Sequence, residues 1–146
     1  IESAGIFYPF TASLLPMAAG CEVLDLGCGT GLELDAYFER NPDAAVTGID
    51  LAPGMLEKLR AKFPKKRLTL IYVTHYLEEI KPIFDQCLLL KEGRVFAAGS
   101  TKELFTDEKM SAFLKRTVAI KRDEQDMMIS QVCDVKPKIA DLLWAD

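Results

Sequence analysis

Three glycines at alternate positions, Gly27, Gly29 and Gly31, close the stretch E-V-L-D-L-G-C-G-T-G between Glu22 and Gly31. Glycine tolerates positive φ, and without a Cβ it lets a ligand come close to the backbone. The apolar residues before the turn (Val23, Leu24, Leu26) read as a buried strand. The turn therefore opens a helix whose first N–H groups face the ligand. That is a nucleotide-type cradle. Two carboxylates narrow its chemistry. Asp25 sits two residues before Gly27, a poor place for a docking pyrophosphate and a good one for a ligand carrying a sulfonium and an α-ammonium. Asp50 ends the next apolar run, where a carboxylate can accept two O–H donors from a ribose diol.

Two common nucleotide motifs are excluded. A dinucleotide fingerprint, G-x-G-x-x-G, would need its third glycine where Leu32 stands, and Gly31 comes one residue early. A P-loop needs a Lys at fixed spacing after its glycines, and none follows here.

The elements that would hold these residues follow from apolar spacing. Pro9 and Pro16 break the first twenty residues, leaving a short helix over Phe10–Leu15, with Phe7, Tyr8 and Phe10 covering a sheet edge or, as the less favoured reading, lining a ligand pocket. A strand over Glu22–Leu26 leads through the glycine turn to a helix from Gly31 to Glu39. Leu34, Tyr37 and Phe38 give that helix its inner face. A strand over Ala45–Ile49 ends at Asp50. The next helix has Pro53 in its first turn and buries Met55, Leu56, Leu59 and Phe63. A third strand spans Leu68–Thr74. Strand-helix-strand-helix-strand requires a parallel sheet with right-handed crossovers.

After His75 the pattern predicts a short helix over Tyr76–Phe84. Strands over Cys87–Leu90 and Arg94–Ala98 follow, too close in sequence for a parallel crossover and so an antiparallel hairpin around Glu92-Gly93. Ser100 with Glu103 forms a capping box for a helix toward Phe105, resumed near Phe113–Leu114. The tail offers strands at Val118–Lys121 and Ile129–Val132, a charged surface loop at Arg122–Asp126, and a helical turn at Ile139–Trp144.

Composition bounds the rest. The chain has 146 residues, 49 % of them apolar, and a net charge of −4 with the signs intermixed. This fits one compact domain and offers no basic stripe for nucleic acid or an anionic membrane. Its four cysteines form no C-x-x-C pair and the single His75 has no cysteine nearby, which argues against zinc or a disulfide framework. We therefore expect no metal, and a reducing cytoplasm as the location. No run approaches the roughly 20 apolar residues of a membrane span, and no basic n-region marks a signal peptide. The first residue is Ile, so the chain reads as trimmed from something longer.

V-L-D-L-G-C-G-T-G followed by T-G-I-D-L-A-P-G-M-L resembles the N-terminal half of class I S-adenosylmethionine-dependent methyltransferases, over about residues 5–70. The resemblance implies that Asp25, Gly27, Cys28, Gly29 and Gly31 surround the methionine part of S-adenosylmethionine. It also implies that Asp50 holds the ribose and that Leu51 and Met55 flank the adenine. After the third strand the chain departs from that pattern. L-T-L-I-Y-V-T-H-Y-L-E-E-I and F-D-Q-C-L-L-L-K-E-G-R-V-F-A-A-G-S-T-K-E-L-F resemble the C-terminal part of an ABC-type ATPase domain, over about residues 68–115. There the resemblance gives His75 the switch position at a γ-phosphate, although the chain carries no P-loop, Walker B acid pair or L-S-G-G-Q. A contracted methyltransferase, with F-D-Q-C-L-L-L-K-E-G-R-V-F as its own later strand, is the weaker reading, because no helix fits between those elements.

The expected fold is therefore α/β, a Rossmann-like three-layer sandwich with a largely parallel sheet and an antiparallel hairpin on the C-terminal side. It is read as a single hybrid domain over 1–146, methyltransferase-like in 1–70 and ABC-ATPase-like in 71–146. A continuous sheet through the joint is sterically possible. The expected function is binding of S-adenosylmethionine, a small-molecule cofactor, by a methyltransferase-like protein incomplete for catalysis. The alternatives are an ABC-type nucleotide-binding fragment and a folded, silent scaffold. A mismatched joint would leave a sheet edge or apolar patch able to pair with a second copy as a homo-oligomer.

Overall fold

In a computed structural model, residues 4–124 and 128–132 are described. The chain divides into two compact units, Ile1–His75 and Tyr76–Asp146.

The first unit is built on three parallel strands, β1 (Glu22–Leu26), β2 (Ala45–Ile49) and β3 (Arg67–Ile71), in the order β1-β2-β3. The register aligns Asp25 with Gly48 and Leu70, and Leu26 with Ile49 and Ile71. Helix α2 (Leu32–Arg40) connects β1 to β2, and α3 (Pro53–Lys62) connects β2 to β3. Helical spacing puts Leu34, Tyr37 and Phe38 of α2, and Leu56 and Leu59 of α3, into the core. On the sheet, Val23, Val46, Gly48 and Leu68 are buried, whereas the alternating residues Leu24, Leu26 and Ile71 are exposed.

Helix α1 (Ala4–Ser13) starts earlier than the prolines suggested and runs through Pro9. Proline in a helix removes the bond to the residue four before it. Here that residue is Gly5, and both Gly5 and Pro9 are exposed, so water can satisfy the freed carbonyl. The loop after α1 is held by a buried polar group on α2. Tyr37 donates its hydroxyl to Pro16 O at 2.7 Å, and Asn41 Nδ2 donates to Ala18 O at 3.2 Å. Burial, then the Cys21 thiol, push the Tyr37 phenol up to about 12, so it remains a neutral donor.

The second unit has its own core of Leu89, Leu104, Phe105 and Met110. Strands β4 (Gln86–Lys91) and β5 (Arg94–Ser100) form the expected antiparallel hairpin. Its two turn residues, Glu92 and Gly93, both have positive φ (53° and 72°), as a type I′ turn demands. Ser100 Oγ accepts from Glu103 N–H and caps α4 (Thr101–Leu104). Thr106 does the same for α5 (Asp107–Leu114) through Lys109 N–H. A second antiparallel hairpin pairs β6 (Val118–Arg122) with β7 (Met128–Val132).

Two expectations are corrected. The helix over 76–84 shrinks to a 3-10 turn at Leu77–Glu79, because Pro82 pushes the residue before it out of the helical region. The third strand stops at Ile71, short of Thr74. The parallel sheet and the antiparallel β4–β5 hairpin are as expected, and β6–β7 forms a further two-stranded sheet. The helical turn expected at 139–144 and residues 125–126 of the charged loop lie outside the described residues. No helix among the described residues is long and apolar enough to cross a membrane.

Candidate cofactor site

The glycine turn is built by the end of β2. Ile49 O accepts from Gly27 N–H at 2.7 Å and from Cys28 N–H at 3.2 Å, and Gly31 N–H returns to Cys28 O at 2.8 Å. Closing the chain this tightly puts Gly27, Gly29 and Gly31 at φ of 74°, 51° and 64°, the left-handed region that side chains disfavour. The three glycines differ in what surrounds them. A Cβ on Gly31 would lie 2.6 Å from Leu59 Cδ1, so this glycine is needed for packing. A Cβ on Gly27 or Gly29 would meet nothing within 4 Å. Those two positions open onto free space, which is the condition for a ligand to lie against the backbone.

Asp50 joins the two loops at the C-terminal ends of β1 and β2. Its Oδ2 accepts from Gly29 N–H and its Oδ1 from Ala52 N–H, both at 2.8 Å. A carboxylate offers about four acceptor directions, so each oxygen keeps capacity for a hydroxyl donor. Beside it, Leu51 is 88 % exposed and Met55 41 %, leaving an apolar flank at the mouth of the turn. His75 is also exposed, at the last position of the first unit.

Cys28 is buried, with its sulfur 2.9 Å from where a Cβ on Gly48 would sit. Burial first, then the Asp25 and Asp50 carboxylates, push its thiol up to about 11. It is a neutral packing group and no nucleophile.

Asp25 and Glu33 form a pair that the sequence did not single out. Glu33 is in the first turn of α2, and the strand-turn-helix folds it back over the end of β1. Asp25 Oδ2 and Glu33 Oε1 are shielded from water, and neither meets a hydrogen-bond donor among the described residues. A side-chain hydrogen bond with Asp25 favours the protonated form of Glu33. Burial, then Asp25, push the Glu33 carboxyl up to about 7. The signal available in sequence was Glu33 itself, two residues past the last glycine. Acids there are usually read as complements to the helix dipole. Lys62, also missed, donates from Nζ to Gly31 O at 3.1 Å and pairs with Asp35, tying α3 to the turn.

A groove of about 680 Å³ lies elsewhere, lined by the first three residues of each strand, such as Glu22, Ala45 and Arg67. Ligands of open α/β sheets bind at the opposite, C-terminal ends of the strands, so the glycine turn is the candidate site.

The family profile described as "Methyltransferase domain" matches residues 23–124. Among curated proteins, the chain is 44 % identical over 50 residues to trans-aconitate 2-methyltransferase of Methylobacterium nodulans, covering 34 % of this chain and 19 % of that protein. It is 40 % identical over 81 residues to YlmA of Bacillus subtilis, described as an uncharacterized ABC transporter ATP-binding protein, covering 53 % of this chain and 31 % of that one. The chain thus spans less than a third of the length of either relative. Among solved structures, an amino pentose methyltransferase of Micromonospora echinaspora, described as bound to S-adenosylmethionine, is 33 % identical with a TM-score of 0.34, covering 50 % of this chain and 28 % of that one.

Proposed function

This chain belongs to the methyltransferase-domain family, of the class I S-adenosylmethionine-dependent kind, and we propose that it binds S-adenosylmethionine at the turn Gly27–Gly31. One observation carries the reading: Gly27 and Gly29 present bare backbone to open space, with the Asp50 carboxylate bonded to Gly29 N–H beside them. The cofactor, when bound, supplies an electrophilic methyl group on a sulfonium. The protein's part is to bind and orient it. Gly27, Cys28, Gly29 and Gly31 would give the methionine part its backbone cradle, with Asp25 facing its cationic end. Asp50 would accept from the ribose hydroxyls with the acceptor directions it has left, and Leu51 and Met55 would cover the adenine faces.

Binding is placed ahead of turnover. The family profile runs on to residue 124, but we assign no residue beyond Ile71 to a methyl-acceptor pocket. Calorimetry with S-adenosylmethionine tests the reading. We expect saturable heat from the wild type and at least tenfold weaker binding in Asp50→Ala. No heat from the wild type would sink it.

A second reading has one specific observation behind it, the 40 % identity to an ABC transporter ATP-binding protein. On that reading residues 71–146 derive from an ABC-type ATPase and His75 faces a nucleotide phosphate. It predicts that ATP raises the melting temperature of the wild type and not of His75→Ala. Equal melting of the wild type with and without ATP would dismiss it and leave this part of the chain as scaffold.

A further inference from the structure

We propose that Glu33 and Asp25 together form an exchange site for the cofactor's α-ammonium, holding one shared proton in the free protein and releasing it as the ammonium arrives. The inference rests on the cofactor reading above and adds to it a residue and a proton.

The geometry leads there in three steps. Asp25 Oδ2 and Glu33 Oε1 are buried and face no donor among the described residues. Two carboxylates that close cannot both stay ionised without cost. One proton between them turns a repulsion into a hydrogen bond. Both flank the glycine turn, Asp25 on the strand before it and Glu33 on the helix after it, the segment against which the cofactor reading lays the ligand.

The other charged groups near Glu33 do not remove the need for a counter-charge. Lys62 on α3 favours the ionised form, but it is the weakest contributor acting on Glu33, and its ammonium is already engaged by Asp35 and Gly31 O. Cys28 stays a neutral thiol. On α2 itself, Asp35 is the remaining acid of the first turn and is paired with Lys62. A primary ammonium brings what is missing, a permanent charge with several N–H donors. The exchange balances: protonated pair plus cationic ligand gives ionised pair with ligand bound, and the proton goes to the buffer.

With Glu33 titrating near 7 and the ligand's own amine about two-thirds charged at pH 7.5, linkage predicts that S-adenosylmethionine binds about sixfold more weakly at pH 6.0 than at pH 7.5. Calorimetry in two buffers of different ionisation enthalpy should show about one proton released per ligand at pH 6.0. S-adenosylhomocysteine, which keeps the amine and lacks the sulfonium, should show the same release and slope. 5′-Methylthioadenosine, which lacks the amino-acid part, should show neither. In Glu33→Gln the release should vanish and the affinity should change less than twofold between the two pH values.

Binding of S-adenosylmethionine without proton release in the wild type would overturn the exchange and leave the cofactor reading standing. No binding at either pH would overturn both. A ligand-free measurement covers the case in which Glu33→Gln does not fold. The ¹³C shift of the Glu33 carboxyl in the wild type should titrate near 7, and a midpoint near 4.5 would overturn the proposal.

Discussion

Gly29→Ala and Gly31→Ala should fail in different ways, though they differ by two positions in one turn. Each forces a side chain into left-handed backbone, a strain of about 1–2 kcal/mol. Gly31→Ala adds an overlap with Leu59 and Leu34, worth about 1–3 kcal/mol more. Urea unfolding should therefore show Gly31→Ala as the less stable variant. Calorimetry should show Gly29→Ala losing S-adenosylmethionine binding while keeping most of its stability. The alternation of the glycines is visible in sequence. Which of them packs and which stays open is not, because that depends on where α3 places Leu59. Glu33 makes the same point, since its partner is eight residues away and meets it only through the turn. Its raised carboxyl also fixes the sign of a pH effect. A carboxyl that holds its proton more tightly when folded adds stability at low pH and loses it as pH rises from about 4.5 to about 7. Melting temperatures of Glu33→Gln relative to the wild type should rise across that window. A flat difference would mean that the pair does not share a proton.

At the scale of elements, end signals were easier to read than middles. Ser100 and Glu103 announced the start of α4, and Glu92-Gly93 announced the β4–β5 turn, because each acts through its own neighbours' backbone. At its end α5 closes locally on a left-handed Lys115, but a further contact from a distant strand could not be read. Lys91 on β4 donates its ammonium to Ala112 O at 3.0 Å and to Phe113 O, and lies over the rings of Phe96 and Phe113. A cation at a helix C-terminus satisfies carbonyls that have no helical partner and complements the dipole. Lys91→Met keeps the apolar stem and removes the donor. It should lower stability by about 1–2 kcal/mol in urea unfolding, with Lys91→Arg restoring part of it. Thr106→Ala, at the other end of α5, should cost about 1 kcal/mol through the lost cap.

For the whole molecule, the α/β class and the parallel order β1-β2-β3 were legible because two crossover helices leave a parallel sheet as the only short solution. A joint near residue 70 was legible from the motifs, but that each side keeps a core of its own was not. Apolar spacing says which residues are inside, and it is silent on which core they enter. Leu89, Leu104, Phe105 and Met110 pack with one another, while Leu34 of α2 and Leu56 and Leu59 of α3 are buried in the first unit. That separation predicts where a cofactor should be felt. Hydrogen exchange with saturating S-adenosylmethionine should slow at the amides of residues 27–32 and 50–52, whose N–H groups line or brace the cradle. Ligand at a hundredfold excess over Kd stabilises the folded state by about 2.7 kcal/mol, enough to slow exchange roughly a hundredfold where opening exposes the site. Amides of β4, β5 and α5 should exchange at unchanged rates, because their hydrogen bonds and core are made within 76–124. Equal protection in both units would show that they unfold as one cooperative body, and protection confined to 86–114 would move the ligand site away from the glycine turn.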